Sequence, residues 1–397
     1  MRIVHVMGYY QSGLGYQENW LPFEQRALGH DVAIVCADRL WPVPNFDETL
    51  GRIVGDRFGP RAGVTEERGV QIHRLRVLRE SVAHAQVLLR GLAGHVQSLA
   101  PDVVHLHGVT APTTHQIVFS GVRARLVADS HTCTSNLEPF GWKKRLYYGL
   151  YAGGLGRVLA ARIRRFLAVC DDARDVLVDH CGVPADRVFV NALGADDARF
   201  SPSAEARRRA RTALGVADED ALVIYAGKFN AGKDLEVLLD AYGGLGNDVG
   251  PTTLLLLGNG ARDYEAALRA RAAALPPERA ARVRFHDLVP NAELPDFYNA
   301  ADLGVWPGDP SNTIQEATMC GVPVVTPANR VTNHVIAGGN GADFPRGDAE
   351  ALRGVLRALL RDRARLAGLR DTARAHALAH LTWRAIAAEA LAHYEAA

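Results

Sequence analysis

Short runs of β-branched and aliphatic residues alternate with amphipathic stretches along this whole chain, and the alternation starts twice. Ile3–Val6, Val32–Cys36, Val103–Leu106, Leu126–Asp129, Phe166–Val169 and Val188–Val190 read as the strands of a first series. The pattern pauses around Phe200, where a helix is predicted over Ala204–Leu214. A second series follows at Leu222–Ala226, Thr253–Leu257, Val283–His286, Leu303–Trp306 and Val322–Thr326. Repeats of this kind build parallel sheets covered by helices on both faces. At 397 residues the chain is too long for one ordinary core. The expectation is therefore α/β, two facing doubly wound lobes joined near Leu193–Pro202. Ligands of such sheets lie at the carboxyl ends of the strands, which puts the expected site in a cleft between the lobes.

Charge and cysteine content exclude several classes. With 45 basic and 44 acidic side chains the net charge is +1, so no basic excess points to nucleic acid. An anionic ligand must be held locally, by a few placed cations and backbone amides. Cys36, Cys133, Cys170, Cys181 and Cys320 are scattered with no CxxC pair, against a zinc ribbon, a redox motif or a secreted disulfide framework. The opening MRIVHVMGYY is too short an apolar run for a signal peptide, and no stretch approaches the roughly 20 apolar residues of a membrane span. A soluble, cytoplasmic enzyme is expected.

Several stretches can carry chemistry. Gly227-Lys228-Phe-Asn-Ala-Gly232-Lys233 lies between a strand and a helix that starts near Leu235. Glycines let a backbone approach a ligand, and the helix start adds amides and positive dipole. Two lysines there suit a diphosphate; a plain tight turn with solvated lysines stays open. In Asp309-Pro-Ser-Asn-Thr313-Ile-Gln-Glu316, Glu316 suits ribose hydroxyls, yet Thr313-x-x-Glu316 also has the form of a helix capping box. Asp102-Val-Val-His105-Leu-His107 places two histidines on one strand face, and His131 follows the next strand. No further ligands at helical spacing support a metal, so a hydrogen-bonding role is expected. Gly8–Glu18 is glycine-rich without G-x-G-x-x-G spacing, and Asp38 is only a weak match to a ribose-binding acid, so a nicotinamide enzyme is not favoured. Asp218-Glu-Asp220 has a metal-diphosphate form but precedes its strand, at the wrong end of the sheet. Trp142–Arg165 is basic and aromatic; it fits either a covering helix with a solvated face or peripheral contact with an anionic membrane.

Taken in order, these stretches resemble the family 4 glycosyltransferases, retaining enzymes of the GT-B fold. The match runs from the Gly13/Gly15 loop through Gly29-His30, the His107 and His131 segments, and Leu193-Gly-Ala-Asp196. It continues through Gly227-Lys228…Gly232-Lys233 to Glu316-Ala-Thr-Met-Cys-Gly-Val-Pro-Val, then Asn340-Gly341. The resemblance implies a first lobe over residues 1–195, a second over 196–375, and a terminal helix over 376–397 that returns to the first. It implies Lys228 and Lys233 on the donor diphosphate, His131 beside the reacting sugar, and Glu316 on the ribose. Gly13, Gly15, Gly227, Asn259, Asp309, Thr313 and Ile314 would complete the donor site, with Tyr16, Glu18 and His107 on the acceptor side. Tyr9–Tyr16 and Trp41–Asp47 are candidates for acceptor specificity.

The resemblance implies hexosyl transfer from a nucleoside diphosphate sugar, uridine favoured, to a hydroxyl acceptor, with no metal or other cofactor. Two departures stand out. Gly308 occupies the place, eight before Glu316, where the family often has glutamate. Lys228 stands where arginine is common, keeping the charge but losing the fork. A nucleotide-sugar 2-epimerase and a transfer-inactive sugar-nucleotide binder are the alternatives.

Overall fold

The computed structural model describes the chain except residues 14, 44–45, 47–50, 52–54 and 138–140, and the side chain of residue 136. Part of the Trp41–Asp47 segment therefore lies outside the described residues. The chain divides into two compact units, Met1–Ala192 with Trp383–Ala397, and Leu193–Thr382.

The strands of the first unit are β1 (Arg2–Val6), β2 (Asp31–Ala37), β3 (Gly63–Glu67), β4 (Val70–Leu75), β5 (Val77–Ser81), β6 (Gln86–Leu89), β7 (Val103–Leu106), β8 (Arg125–Ser130), β9 (Ile163–Ala168) and β10 (Val188–Val190). Eight form one sheet in the order β10-β9-β8-β7-β1-β2-β4-β3, with β5 and β6 as a separate hairpin. β3 runs antiparallel to β4 through Arg68 and Gly69, both at positive φ (49° and 79°), the geometry of a two-residue hairpin turn. The other pairs in this sheet are parallel. The terminal helix Trp383–Glu395 belongs to this unit: Ala387, Ala390, Leu391 and Tyr394 share a core with Ile3, Leu21 and Phe23.

The second unit holds β11 (Ala221–Ala226), β12 (Thr252–Leu257), β13 (Val283–His286), β14 (Leu303–Val305), β15 (Val324–Pro327) and β16 (Gly341–Phe344). They form a parallel sheet in the order β13-β12-β11-β14-β15-β16. β11 and β12 are buried along their whole length, as strands covered on both faces must be. On the Leu235–Gly243 helix, Leu235, Leu238, Leu239 and Tyr242 are buried, the one-face spacing read from the sequence.

Every strand expected from the sequence is present, with ends moved by a few residues. The missing expectations were β3 to β6 and β16, which are short, exposed or interrupted by charge. Among the described residues no helix is long and apolar enough to cross a membrane.

Candidate functional site

In the second unit the sheet reverses its winding between β11 and β14, and the loops leaving these two strands meet there. The turn after β11 begins at Gly227, φ 151°. A Cβ on Gly258, also at φ 151°, would sit 1.8 Å from the Gly227 carbonyl oxygen. That approach lets the Phe229 amide donate to Asn259 O at 2.7 Å, lacing the two loops together while Asn259 itself stays exposed. A 3₁₀ turn at Ala231–Lys233, then Asp234 at φ 51°, feed the Leu235–Gly243 helix.

Lys228 is exposed and Lys233 half-buried. The Lys233 ammonium donates to the carbonyls of Asp309 (2.9 Å) and Pro310 (2.7 Å), tying this turn to the loop after β14. Burial lowers its pKa, Lys228 and Arg346 push the same way, and Asp309 opposes them. Arg346, which sequence reading missed, donates to Asp234 Oδ2 (2.7 Å), Asp309 Oδ1 (2.9 Å) and Gly232 O (3.0 Å). It follows β16, far along the chain, and no local spacing marks it.

The loop packing explains the glycine eight residues before Glu316. A Cβ on Gly308 would lie 2.4 Å from Gly232 O and 2.6 Å from the Lys233 carbonyl carbon, so no side chain fits there as the loops stand. The Asp309 carboxylate is held in the same frame, one oxygen on Arg346 and the other against Gly232.

Glu316 lies on the helix Thr313–Met319. Its carboxylate accepts from Asn291 Nδ2 at 3.0 Å and Tyr298 Oη at 3.5 Å. Burial lifts its pKa to about 7, against the pull of those two bonds and of Arg199. The capping-box reading gives way here: Asn312 holds the cap position, and Thr313 sits inside the helix. The Thr313 hydroxyl donates to Ala226 O (2.9 Å) and accepts from Trp306 Nε1 (3.0 Å). Ile314, the next residue, points into the unit. Its side chain is in the apolar core and its amide donates to Ser311 O, so both are spent inside the unit. Asp218 and Asp220 precede β11, where Asp218 is solvated and Asp220 pairs with Arg282 at 2.7 Å.

In the first unit the winding reverses between β1 and β7. The loop after β1 carries Gly13, Gly15, Tyr16 and Glu18; a Cβ on either glycine would meet nothing within 4 Å. Gln17, which sequence reading did not select, is buried and accepts from His131 Nε2 at 2.7 Å. His131 follows β8 with its side chain 43% exposed, and Nε2 lies 3.8 Å from Asp129 Oδ2. Burial disfavours its charge, but Asp129 and Glu18 outweigh that and raise its pKa. His131 also lines a pocket of ≈ 120 Å³ with Gly108, Thr110, Ser130, Thr132 and Tyr148.

His107, expected on the acceptor side, has both ring nitrogens engaged: Nδ1 with Asp129 at 2.8 Å and Nε2 with His5 Nδ1 at 3.0 Å. The nearest nitrogens of His5, His105 and His107 lie within 4.8 Å of one another, a spacing open to a metal. Yet His5 Nε2 meets Gln25 at 2.8 Å, and His105 meets Asp129 through Nε2 (3.0 Å) and Tyr394 through Nδ1. All six nitrogens have hydrogen-bond partners, which makes this a polar network rather than a set of free lone pairs.

The two doubly wound units have the GT-B fold, and the chain belongs to the family 4 glycosyltransferases. Residues 20–194 match the Glycosyl transferase 4-like domain and residues 220–362 match Glycosyl transferases group 1. The chain is 32% identical over 230 residues to D-inositol 3-phosphate glycosyltransferase of Xylanimonas cellulosilytica, covering 56% of this chain and 54% of that protein. It thus spans about half the length of that relative. Phosphatidyl-myo-inositol mannosyltransferase of Mycobacterium leprae is 28% identical over 303 residues, 74% of this chain and 73% of its own. The fold is also that of Anabaena HepE, crystallised with UDP and glucose, with a TM-score of 0.66 at 17% identity over the whole of both chains.

Proposed function

We propose that this protein moves a hexosyl unit from a nucleoside diphosphate sugar, a uridine donor by preference, to a hydroxyl acceptor. The anomeric configuration is retained and no divalent metal is needed. The observation that carries the reading is the gathering of Lys228, Lys233 and Arg346 around the Gly227–Lys233 turn, in the same lobe as Glu316. As the glycosidic bond breaks, negative charge builds on the β-phosphate, and preorganised cations stabilise it most where water is excluded. Glu316 would accept the ribose hydroxyls, and His131, held by Gln17, would orient the sugar. The relatives named for inositol-based acceptors and the UDP in HepE support this reading.

The test is nucleotide release from UDP-glucose with and without a hydroxyl acceptor, in buffer containing EDTA. Acceptor-dependent release that EDTA leaves unchanged is expected. Release without acceptor and with an epimerised sugar, or none with any acceptor, would replace the reading by one of its rivals.

The raised pKa of Glu316 gives a pH signature. Ribose hydroxyls donate to the ionised carboxylate, and the free group titrates at about 7. Donor affinity should therefore rise about tenfold as pH rises from roughly 6 to 8. UDP-glucose is the probe, because its diphosphate does not titrate in that range. Calorimetry on Glu316→Gln should lose this slope; a parallel slope in wild type and variant would remove Glu316 from the ribose.

A second reading concerns the helix Trp142–Leu150. Trp142, Leu146 and Leu150 share one face and are 71%, 61% and 62% exposed, while Lys144 and Tyr148 turn inward. Lys143 and Arg145 flank that outward apolar face. We propose that it rests on an anionic lipid surface, each basic residue adding roughly 1 kcal/mol near the membrane. Co-sedimentation with phosphatidylserine vesicles should fall with salt and be abolished in Trp142→Ser/Leu146→Ser. Equal binding to neutral vesicles, or none to either, would refute it.

A further inference from the structure

Six side chains of the first unit close a ring of hydrogen bonds. Gln25 Nε2 donates to Tyr394 Oη at 3.0 Å, and Tyr394 Oη contacts His105 Nδ1. His105 Nε2 reaches Asp129 Oδ2 at 3.0 Å, which also takes His107 Nδ1 at 2.8 Å. His107 Nε2 meets His5 Nδ1 at 3.0 Å, and His5 Nε2 returns to Gln25 Oε1 at 2.8 Å. Each of the six contacts needs one proton. Gln25 supplies one, Tyr394 one, each neutral imidazole one, and an ionised carboxylate none, which makes five. Turning the Gln25 amide over or exchanging tautomers changes where these protons sit but not their number.

A ring of neutral imidazoles is thus one proton short, and two lone pairs must face each other at one contact. A sixth proton completes every contact and brings the ring's net charge from −1 to zero. Five members are fully buried and the His107 side chain is only 11% exposed, so water is poorly placed to mend the gap. Burial holds His5 and His105 below the ordinary imidazole pKa. Burial also opposes charge on Asp129, but His107 and the bonds from the neighbouring histidines keep its carboxyl well below the usual range.

The ring reaches the candidate site through Asp129. Its Oδ1 accepts from the Gly108 amide at 2.8 Å, and its Oδ2 lies 3.8 Å from His131 Nε2. Gln17, Glu18 and Cys170 are the other groups that face His131. We infer that the ring holds a sixth proton at neutral pH, and that Asp129, kept ionised within it, is the positioning residue that keeps His131 cationic and turned to Gln17. The second half of this inference rests on the role of His131 proposed above; the first half does not.

Nitrogen-15 NMR of the histidine-labelled protein tests both. At pH 7 the rings of His5, His105 and His107 should carry four protonated nitrogens between them. Three would overturn the sixth proton. His131 should titrate above free histidine in the wild type, and Asp129→Asn should lower that pKa by about 1–3 units, moving the matching limb of the kcat/KM pH profile with it. A His131 titration unmoved by the substitution would overturn the positioning role. Should Asp129→Asn fail to fold, the wild-type spectrum alone reads the proton count and the His131 pKa, and an ordinary His131 value there refutes the inference. Tyr394→Phe opens the ring: a turned Gln25 amide then donates to His5 Nε2, the three neutral imidazoles supply the other three contacts, and the count should fall to three, whereas four would overturn the bonding argument. The spectra need no transfer reaction. Absent transfer with four protonated nitrogens would count against the proposed function and leave the proton count standing.

Discussion

Alanine in place of Lys233 is expected to lower sugar transfer about 10²–10³-fold, the usual loss when one preorganised charge donor is removed from a developing anion. The second unit should remain folded. The lysine donates to two loop carbonyls, each bond to a charged donor being worth about 1.5–3 kcal/mol. It is only half-buried, so water can take over much of that bonding. A melt within a few degrees of wild type, beside the drop in kcat/KM, would assign the loss to chemistry. A rate within threefold of wild type would remove the ammonium from the diphosphate.

The largest structural effect is expected from Gly258→Ala. The new methyl would stand 1.8 Å from a main-chain oxygen that cannot rotate away, at a φ of 151° that side chains rarely adopt. Overlap and backbone strain cost about 1–3 kcal/mol each, or a fall of roughly 5–20 °C in the melting temperature of a unit this size. Affinity for UDP-glucose should fall with it, because the Gly227–Lys233 turn must move. Gly15→Ala is the matched control, since its added Cβ would meet nothing within 4 Å, and its effect should stay within about 0.5 kcal/mol. Equal melting temperatures for the two variants would mean that the β11 and β12 loops are not packed as described.

These residues also mark how far the sequence could be read. Period and composition announce β11, β12 and the Leu235 helix, because strands buried on both faces must be continuously apolar and a covering helix must repeat its apolar face. The hairpin of β3 and β4 escapes that logic. Its edge strand Gly63–Glu67 is largely solvent-exposed, and its Arg68-Gly69 turn lacks the usual Asn or Asp before glycine. Thr313 and Glu316 show the opposite failure, a strong local pattern with a false meaning. The spacing fits a capping box, but tertiary partners at Asn291, Tyr298 and Ala226 compete for the same atoms and win.

From its sequence alone this chain was committed to two doubly wound α/β series, with glycine-rich turns at the strand ends and lysines on one of them. Those properties depend on neighbours a few residues away, and local periodicity and backbone freedom record them. Which distant groups complete each site was decided only by the tertiary structure. Arg346 on the Gly232 turn, Asn291 on Glu316, Gln17 on His131, and Tyr394 closing a ring begun at His5 come together because the sheets stack remote strand ends side by side. Hydrogen bonds and ion pairs act over a few ångströms of space, whatever length of chain lies between their ends.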